Sequence, residues 1–348
     1  MKSLKDISLP IDEASYRADG AMHYSTLATY ERGGFHSIDT LDERKESESL
    51  TFGSIVDCLI TGTPEEFEQQ YLVADLNTEA SDTLINVTKG LFNLYKDSYS
   101  TLDEVPNNII LSVLDDVNYG KTWKPTTRLD KLRGQCSEYY RLMFLAQGKT
   151  IITSDMYNDA LACTRALHEA PATKHLFAPN NPFEPEIERL YQLKFSNTFD
   201  GIRYSCMVDL IYLNHTKKII IPCDLKTSSH YEDEFYKSFI EWGYSIQARL
   251  YANLIKKAIE ADDYFKDFKM LNYHFIVVNK KTLNPLVWEF PDTYNMDTLY
   301  YGKDKQIECR HPFVIGKELN EYLKHRPSVP NGISISKPNN LKEWLNRL

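Results

Sequence analysis

Blocks of helical and strand periodicity follow one another along the chain and order it into a helical first half and a strand-rich second half. Residues 22–35 (MHYSTLATYERGGF) carry a short helical pattern that opens at Ser25, an N-cap-like residue, and stops at Gly33-Gly34. Residues 36–50 are polar and charged, the composition of a loop or mobile segment. A helix is predicted from about Ser49 to Gly62, with Phe52, Ile55, Val56, Leu59 and Ile60 on a 3.6-residue period and Asp57 beside that apolar stripe. Thr63-Pro64-Glu65-Glu66 starts a further short helix with proline in its first turn. Residues 77–147 read as mostly helical. An amphipathic helix from Ser154 to about Phe177 is ended by the proline-rich run 179–185 (PNNPFEP).

Strand patterns take over from there. The first spans 186–195, a hairpin turn covers Asn197 to Gly201, and two β-rich runs, 202–213 and 218–225, flank a turn at Asn214-His215-Thr216-Lys217. A long helix is predicted from Glu232 to Ile259, then strands over 271–279 and 285–290, a final helix over roughly 293–325, and a polar tail. This order predicts an α/β fold with a helical N-terminal elaboration and no internal repeat. The expected divisions are a mostly helical part (1–180), a strand-rich core (181–295) and a C-terminal helix with its tail (296–348), together forming one compact domain.

Composition narrows the class. With 348 residues, 42% hydrophobic and 26% charged, the chain can bury a large core and is ordinary for a soluble globular protein. No run approaches the roughly 20 apolar residues of a membrane span, and the first residues lack a signal-peptide core, so a cytoplasmic protein without membrane contact is expected. The six cysteines are scattered with no C-x-x-C pair, which argues against a zinc ribbon or an iron–sulfur cluster. A net charge of −9 argues against coating nucleic acid by bulk electrostatics, but leaves room for local basic groups. The most basic segment, 119–135, reads as a solvated face or linker ahead of a DNA-facing loop.

Candidate chemistry concentrates in Met207-Val208-Asp209 and Asp224-Leu225-Lys226. Strand alternation puts Asp224 and Lys226 on one face. A hairpin centred near 215–216 is expected to leave Asp209 about two residues out of register with Asp224. Both carboxylates could then hold one divalent cation while the lysine orients a water, the chemistry of phosphodiester hydrolysis. The alternative is an edge-strand ion pair. Against it, the apolar Ile219-Ile220-Ile221 runs straight into the charged tripeptide, and charge at the end of a core strand calls for a partner. Gln247 and Tyr251 lie one helical turn apart on the following helix.

These residues, in this order, resemble the PD-(D/E)xK nuclease superfamily, in particular the RecE-type and phage-type exonucleases with a RecB-like core, over about residues 20–290. TFGSIVDCLITG (51–62) resembles the family's glycine-containing first helix, Glu186 or Glu188 falls where its first strand carries an acid, Asp209 and Asp224-Leu225-Lys226 match the catalytic D and D-x-K, and GYSIQARLY (243–251) matches the glutamine-and-tyrosine helix. The resemblance implies a restriction-endonuclease-like core, a central mixed sheet flanked by helices. It also implies Mg²⁺, replaceable by Mn²⁺, held by Asp57, Glu186, Glu188, Asp209, Asp224 and the Leu225 carbonyl. Glu188, Asp209, Asp224, Lys226 and Gln247 would be the catalytic residues. Asp57 departs from the pattern, standing where a histidine is usual. An oxygen ligand suits Mg²⁺, and a helix-surface acid is the other reading. The activity implied is exonucleolytic cleavage of duplex DNA, 5′→3′, in the host cytoplasm if phage-encoded. A single-strand annealing protein and a homo-oligomeric assembly would be its partners. An endonuclease or a single-strand or flap nuclease on the same core, and an inactive DNA-binding or assembly module, are the alternatives.

Overall fold

The computed structural model describes residues 1–41, 47–75, 80–290, 298–301 and 305–325. They divide into two units, not one: Gly62–Leu161 forms the smaller, and Met1–Thr61 with Ala162–Leu348 the larger. The break therefore falls inside the expected N-terminal part. The larger unit begins with α1 (Glu13–Arg17), α2 (Tyr24–Gly33) and α3 (Glu48–Thr61). Ser25 lies inside α2, whose N-cap is His23; of the loop expected over 36–50, the first part belongs to a 3-10 turn over Gly34–Thr40 with Phe35 and Ile38 buried, residues 42–46 lie outside the described residues, and Glu48 already starts α3.

The smaller unit holds α4 (Pro64–Gln70), β1 (Tyr71–Val73), α5 (Asp82–Tyr95), α6 (Asn107–Asp116), α7 (Pro125–Ala146), β2 (Thr150–Ile152) and the start of α8 (Ser154–Glu169). Its α4 opens on a reciprocal cap, Glu66 N–H donating to the Thr63 hydroxyl (3.2 Å) and Thr63 N–H to the Glu66 carboxylate (2.8 Å). Leu84, Leu91, Ile110, Leu114, Leu132 and Tyr140 make its core. The basic segment 119–135 is largely the first half of α7, and two of its charges serve the fold. Arg128 is buried against Asp115 (2.8 Å), and Arg133 donates to the Val105 carbonyl (3.1 Å) and to Asn107 (2.9 Å).

In the larger unit the chain continues through the single turn α9 (Lys174–Phe177) to β3 (Ile187–Phe199), β4 (Ile202–Asn214) and β5 (Ile219–Ser228). Asp200 and Gly201, both at positive φ, close the β3–β4 turn. The expected long helix is two, α10 (Phe235–Trp242) and α11 (Tyr244–Glu260), because Gly243 takes φ +66° and ends the first. Next come β6 (Lys269–Met270), β7 (His274–Asn279), β8 (Leu286–Glu289), β9 (Thr298–Tyr301), β10 (Lys305–Glu308) and α12 (Pro312–Lys324). The expected helix over 293–325 is thus confined to its last third: 298–308 contains an antiparallel β9–β10 pair, and Pro312 starts α12 at a position where proline is welcome. Residues 291–297 and the tail from 326 lie outside the described residues.

The central sheet runs β3-β4-β5-β7-β8, with β6 also on β5. β3, β4 and β5 are antiparallel, β5 and β7 parallel, and β7 and β8 antiparallel, so the sheet is mixed as expected. Helices flank it: α11 lies against β3 and β4, and α3 against β5. Gly53 of α3 lies in that last contact, where a Cβ would sit 3.4 Å from the Thr227 hydroxyl, an ordinary van der Waals distance. Among the described residues no helix is long and apolar enough to cross a membrane.

Candidate active site

Strand pairing puts the two aspartates face to face. The β4–β5 ladder pairs Asn214 with Ile219 and continues to Leu210 with Cys223. One further step sets Asp209 opposite Asp224, correcting the expected offset of two residues. The ladder stops there because Leu225 N–H donates to Asp209 Oδ2 (2.9 Å), not to a strand carbonyl. The two strands part at the carboxylates.

Each face of β5 does a different job. Asp224 is almost fully buried and points to α11, where the Gln247 amide nitrogen donates to its Oδ1. Its Oδ2 forms an ion pair with Lys226, whose ammonium lies 4.8 Å from the centre of the Tyr244 ring. Leu225, on the opposite face, lines a small cleft with Asp57, Thr61, Phe177, Tyr191 and Asp209. Tyr251, one turn after Gln247, is buried against Tyr273 (6.2 Å between ring centres) and packs the core.

Burial and mutual repulsion dominate the electrostatics. Burial first, then the charge of Asp224, lifts the Asp57 carboxyl to about 7. The same two causes, with Asp57 added, hold Asp209 well above the usual carboxylate range. Burial opposes the charge on Lys226, but Asp224, with Tyr244 and Asp209 behind it, raises the ammonium above its ordinary value. Lys226 is therefore a fixed cation and a proton donor in hydrogen bonds, not a base. Asp224 is ion-paired with Lys226, whereas Asp57 and Asp209 line the cleft with Leu225. Their mutual repulsion is relieved by protons or by a further cation.

The expected first-strand acids do not join this group. Glu188 pairs with Leu213 at the far end of the hairpin, where its carboxylate takes His215 (2.6 Å) and the Ser3 hydroxyl (2.7 Å). Glu186 lies just before β3, and its carbonyl accepts from His215 N–H (2.8 Å). Glu188 is four residues from the strand position opposite Asp209, on the order of 13 Å along β3. That position belongs to Gln192, whose amide nitrogen contacts both Asp57 oxygens (2.9 and 3.2 Å). Sequence reasoning missed Gln192. Counting back from the Asp200-Gly201 turn would have found it.

The set fits a hard divalent cation in its chemistry: buried Asp224 and half-buried Asp57 and Asp209 supply carboxylate oxygens in excess of the local positive charge. Among the described residues, however, no three His, Cys, Asp or Glu side chains are gathered into a ready cage. The reason is visible in their partners: Asp224 is held by Gln247 and Lys226, Asp57 by Gln192, and one Asp209 oxygen by Leu225.

No family model matches the chain, and no curated protein matches it. Among solved structures it is similar to a crystal structure from Eubacterium rectale named "Putative exonuclease", at 11% identity and a TM-score of 0.44, over 94% of this chain and 97% of that one.

Proposed function

We propose that the chain is a metal-dependent nuclease that hydrolyses phosphodiester bonds of DNA. The observation that supports this is the placing of half-buried Asp209 and buried Asp224 one step beyond the end of the β4–β5 ladder, with Lys226 paired to Asp224 and Gln247 behind it. Asp209, Asp224 and the Leu225 carbonyl would hold Mg²⁺, or Mn²⁺ in its place, with Asp57 as a further oxygen ligand; Glu186 and Glu188 drop out of that set because they lie at the far end of the β3–β4 hairpin. When bound, the metal supplies charge neutralisation at the scissile phosphate and a water of lowered pKa. The chain's own groups do the rest. Lys226, held as a cation, donates to the attacking water or to a phosphate oxygen. Tyr244 limits where that ammonium can go. Gln247 fixes the rotamer of Asp224, and its Oε1 remains a buried acceptor without a partner.

The finer reading is an exonuclease on duplex ends, 5′→3′, working in phage-type recombination beside a single-strand annealing protein and as a homo-oligomer. It rests on the order of the motifs along the chain. Incubation with linear and closed circular duplex in Mg²⁺ tests it: linear DNA alone should be degraded. Equal cutting of both substrates would make the protein an endonuclease, and no cutting of either would end the nuclease reading.

A further inference from the structure

Gln192 has a backbone and a side chain that point to the same role. It takes φ +54° in the middle of β3, in a region that residues other than glycine adopt at a cost. The strand pairing registers Tyr191 with Leu210 and Leu193 with Val208, and skips the position between them, where Gln192 faces Asp209. The twist thus falls beside the carboxylate that would bind metal. From that position the side-chain amide reaches α3 and contacts both oxygens of Asp57. Strained backbone in a strand persists only where the surroundings fix it, and here they fix a bond across 135 residues of sequence.

We infer that Gln192 is a positioning residue, which holds the Asp57 carboxylate in place as an oxygen ligand for the divalent cation. The inference rests on the metal-dependent reading of the site. The amide suits the task because it is neutral. A carboxylate at 192 would add a fourth negative charge beside Asp57, Asp209 and Asp224, whereas an amide orients Asp57 through N–H donation without adding charge. It acts as the partners behind metal ligands generally do, fixing the ligand's orientation and limiting its freedom. Because Gln192 sits in β3 and Asp57 in α3, the bond also ties the helix to the strand next to the parted β4–β5 ladder.

The test is Mn²⁺ binding to the full chain by calorimetry, with cleavage as a second readout, for wild type, Q192G, D57N and the double variant. Glycine takes φ +54° without strain, so Q192G should melt no lower than wild type. It should nevertheless bind Mn²⁺ about 10–100-fold more weakly. The double variant should bind no more weakly than D57N alone, because the glutamine acts through the aspartate. Q192N, whose side chain also tolerates positive φ but is one methylene shorter, should show the same loss and covers the case of a poorly folding Q192G. Wild-type affinity in Q192G or Q192N, or losses that simply add in the double variant, would overturn the positioning role while leaving the nuclease reading intact. A wild-type chain that neither binds Mn²⁺ nor cuts DNA would overturn both.

Discussion

Charge at the level of single residues governs this site, because half-buried Asp57 and Asp209 both feel the charge of buried Asp224, which Lys226 offsets in part. The sign of the resulting pH dependence follows from Asp57. Its folded value, about 7, lies above its ordinary 3.8, so the folded state keeps its proton where the unfolded chain has lost it. Stability of the metal-free protein should therefore fall as pH rises from about 4 to about 7, by an amount on the order of a few kcal/mol, and then level off. Asp209 pulls the same way. Melting curves in chelator across that range check the slope, which D57N should flatten. Lys226→Ala should lower kcat by about 10²–10⁴-fold, the span of a positioned proton-donating group, and should leave the midpoint for Mn²⁺ binding nearly unchanged. Asp224→Ala should abolish cleavage while leaving DNA binding largely intact. Activity surviving that change would void the site assignment.

Two glycines lie in the elements that carry these residues, and one of them sets their course. Gly243 turns the chain between α10 and α11 and so presents Tyr244 to Lys226 and Gln247 to Asp224. Gly243→Ala meets both a positive φ and Ile246 at 3.3 Å. It should cost about 1–2 kcal/mol in denaturant melts and lower activity together with stability. Gly53 tests the opposite case. Alanine there only reaches ordinary contact with Thr227, and helix propensity favours it by about 1 kcal/mol, so Gly53→Ala should be neutral or stabilising. Gly53→Leu should push α3 from β5, carry Asp57 away and weaken Mn²⁺ binding. A Leu variant that binds Mn²⁺ as wild type does would show that the position of α3 does not matter to the site.

Across the whole molecule, metal binding and folding should be linked. A cation that binds only the folded chain stabilises it by about 2.7 kcal/mol at a hundred times its dissociation constant. Mg²⁺ should accordingly raise the melting temperature of wild type and much less that of Asp224→Ala. The net charge of −9 would repel DNA, so the proposed DNA binding would have to come from local groups and from the proposed metal. The basic segment contributes less than its composition suggests: Arg128 and Arg133 are taken up inside the smaller unit. Static light scattering would read the expected homo-oligomer directly.

Local signals determined much of this. The 3.6-residue period marked α3, the turn residues marked both hairpins, and the ordered Asp209, Asp224, Lys226 and Gln247 were legible because strand alternation and helical spacing are properties of short segments. Long-range partners were not. Glu188 looked like a site acid from its place on the first strand, and only the register showed it four residues from the position opposite Asp209, bound to His215. Gln192 had no motif to announce it; its importance comes from facing Asp209 and reaching Asp57, two relations that exist only once β3, β4 and α3 are assembled. The same holds for the split at Gly243 and the β9–β10 pair, where chain geometry and strand pairing overrode a helical pattern. Sequence set which groups could do chemistry; tertiary structure decided which of them meet, because meeting depends on register and packing between segments far apart in the chain.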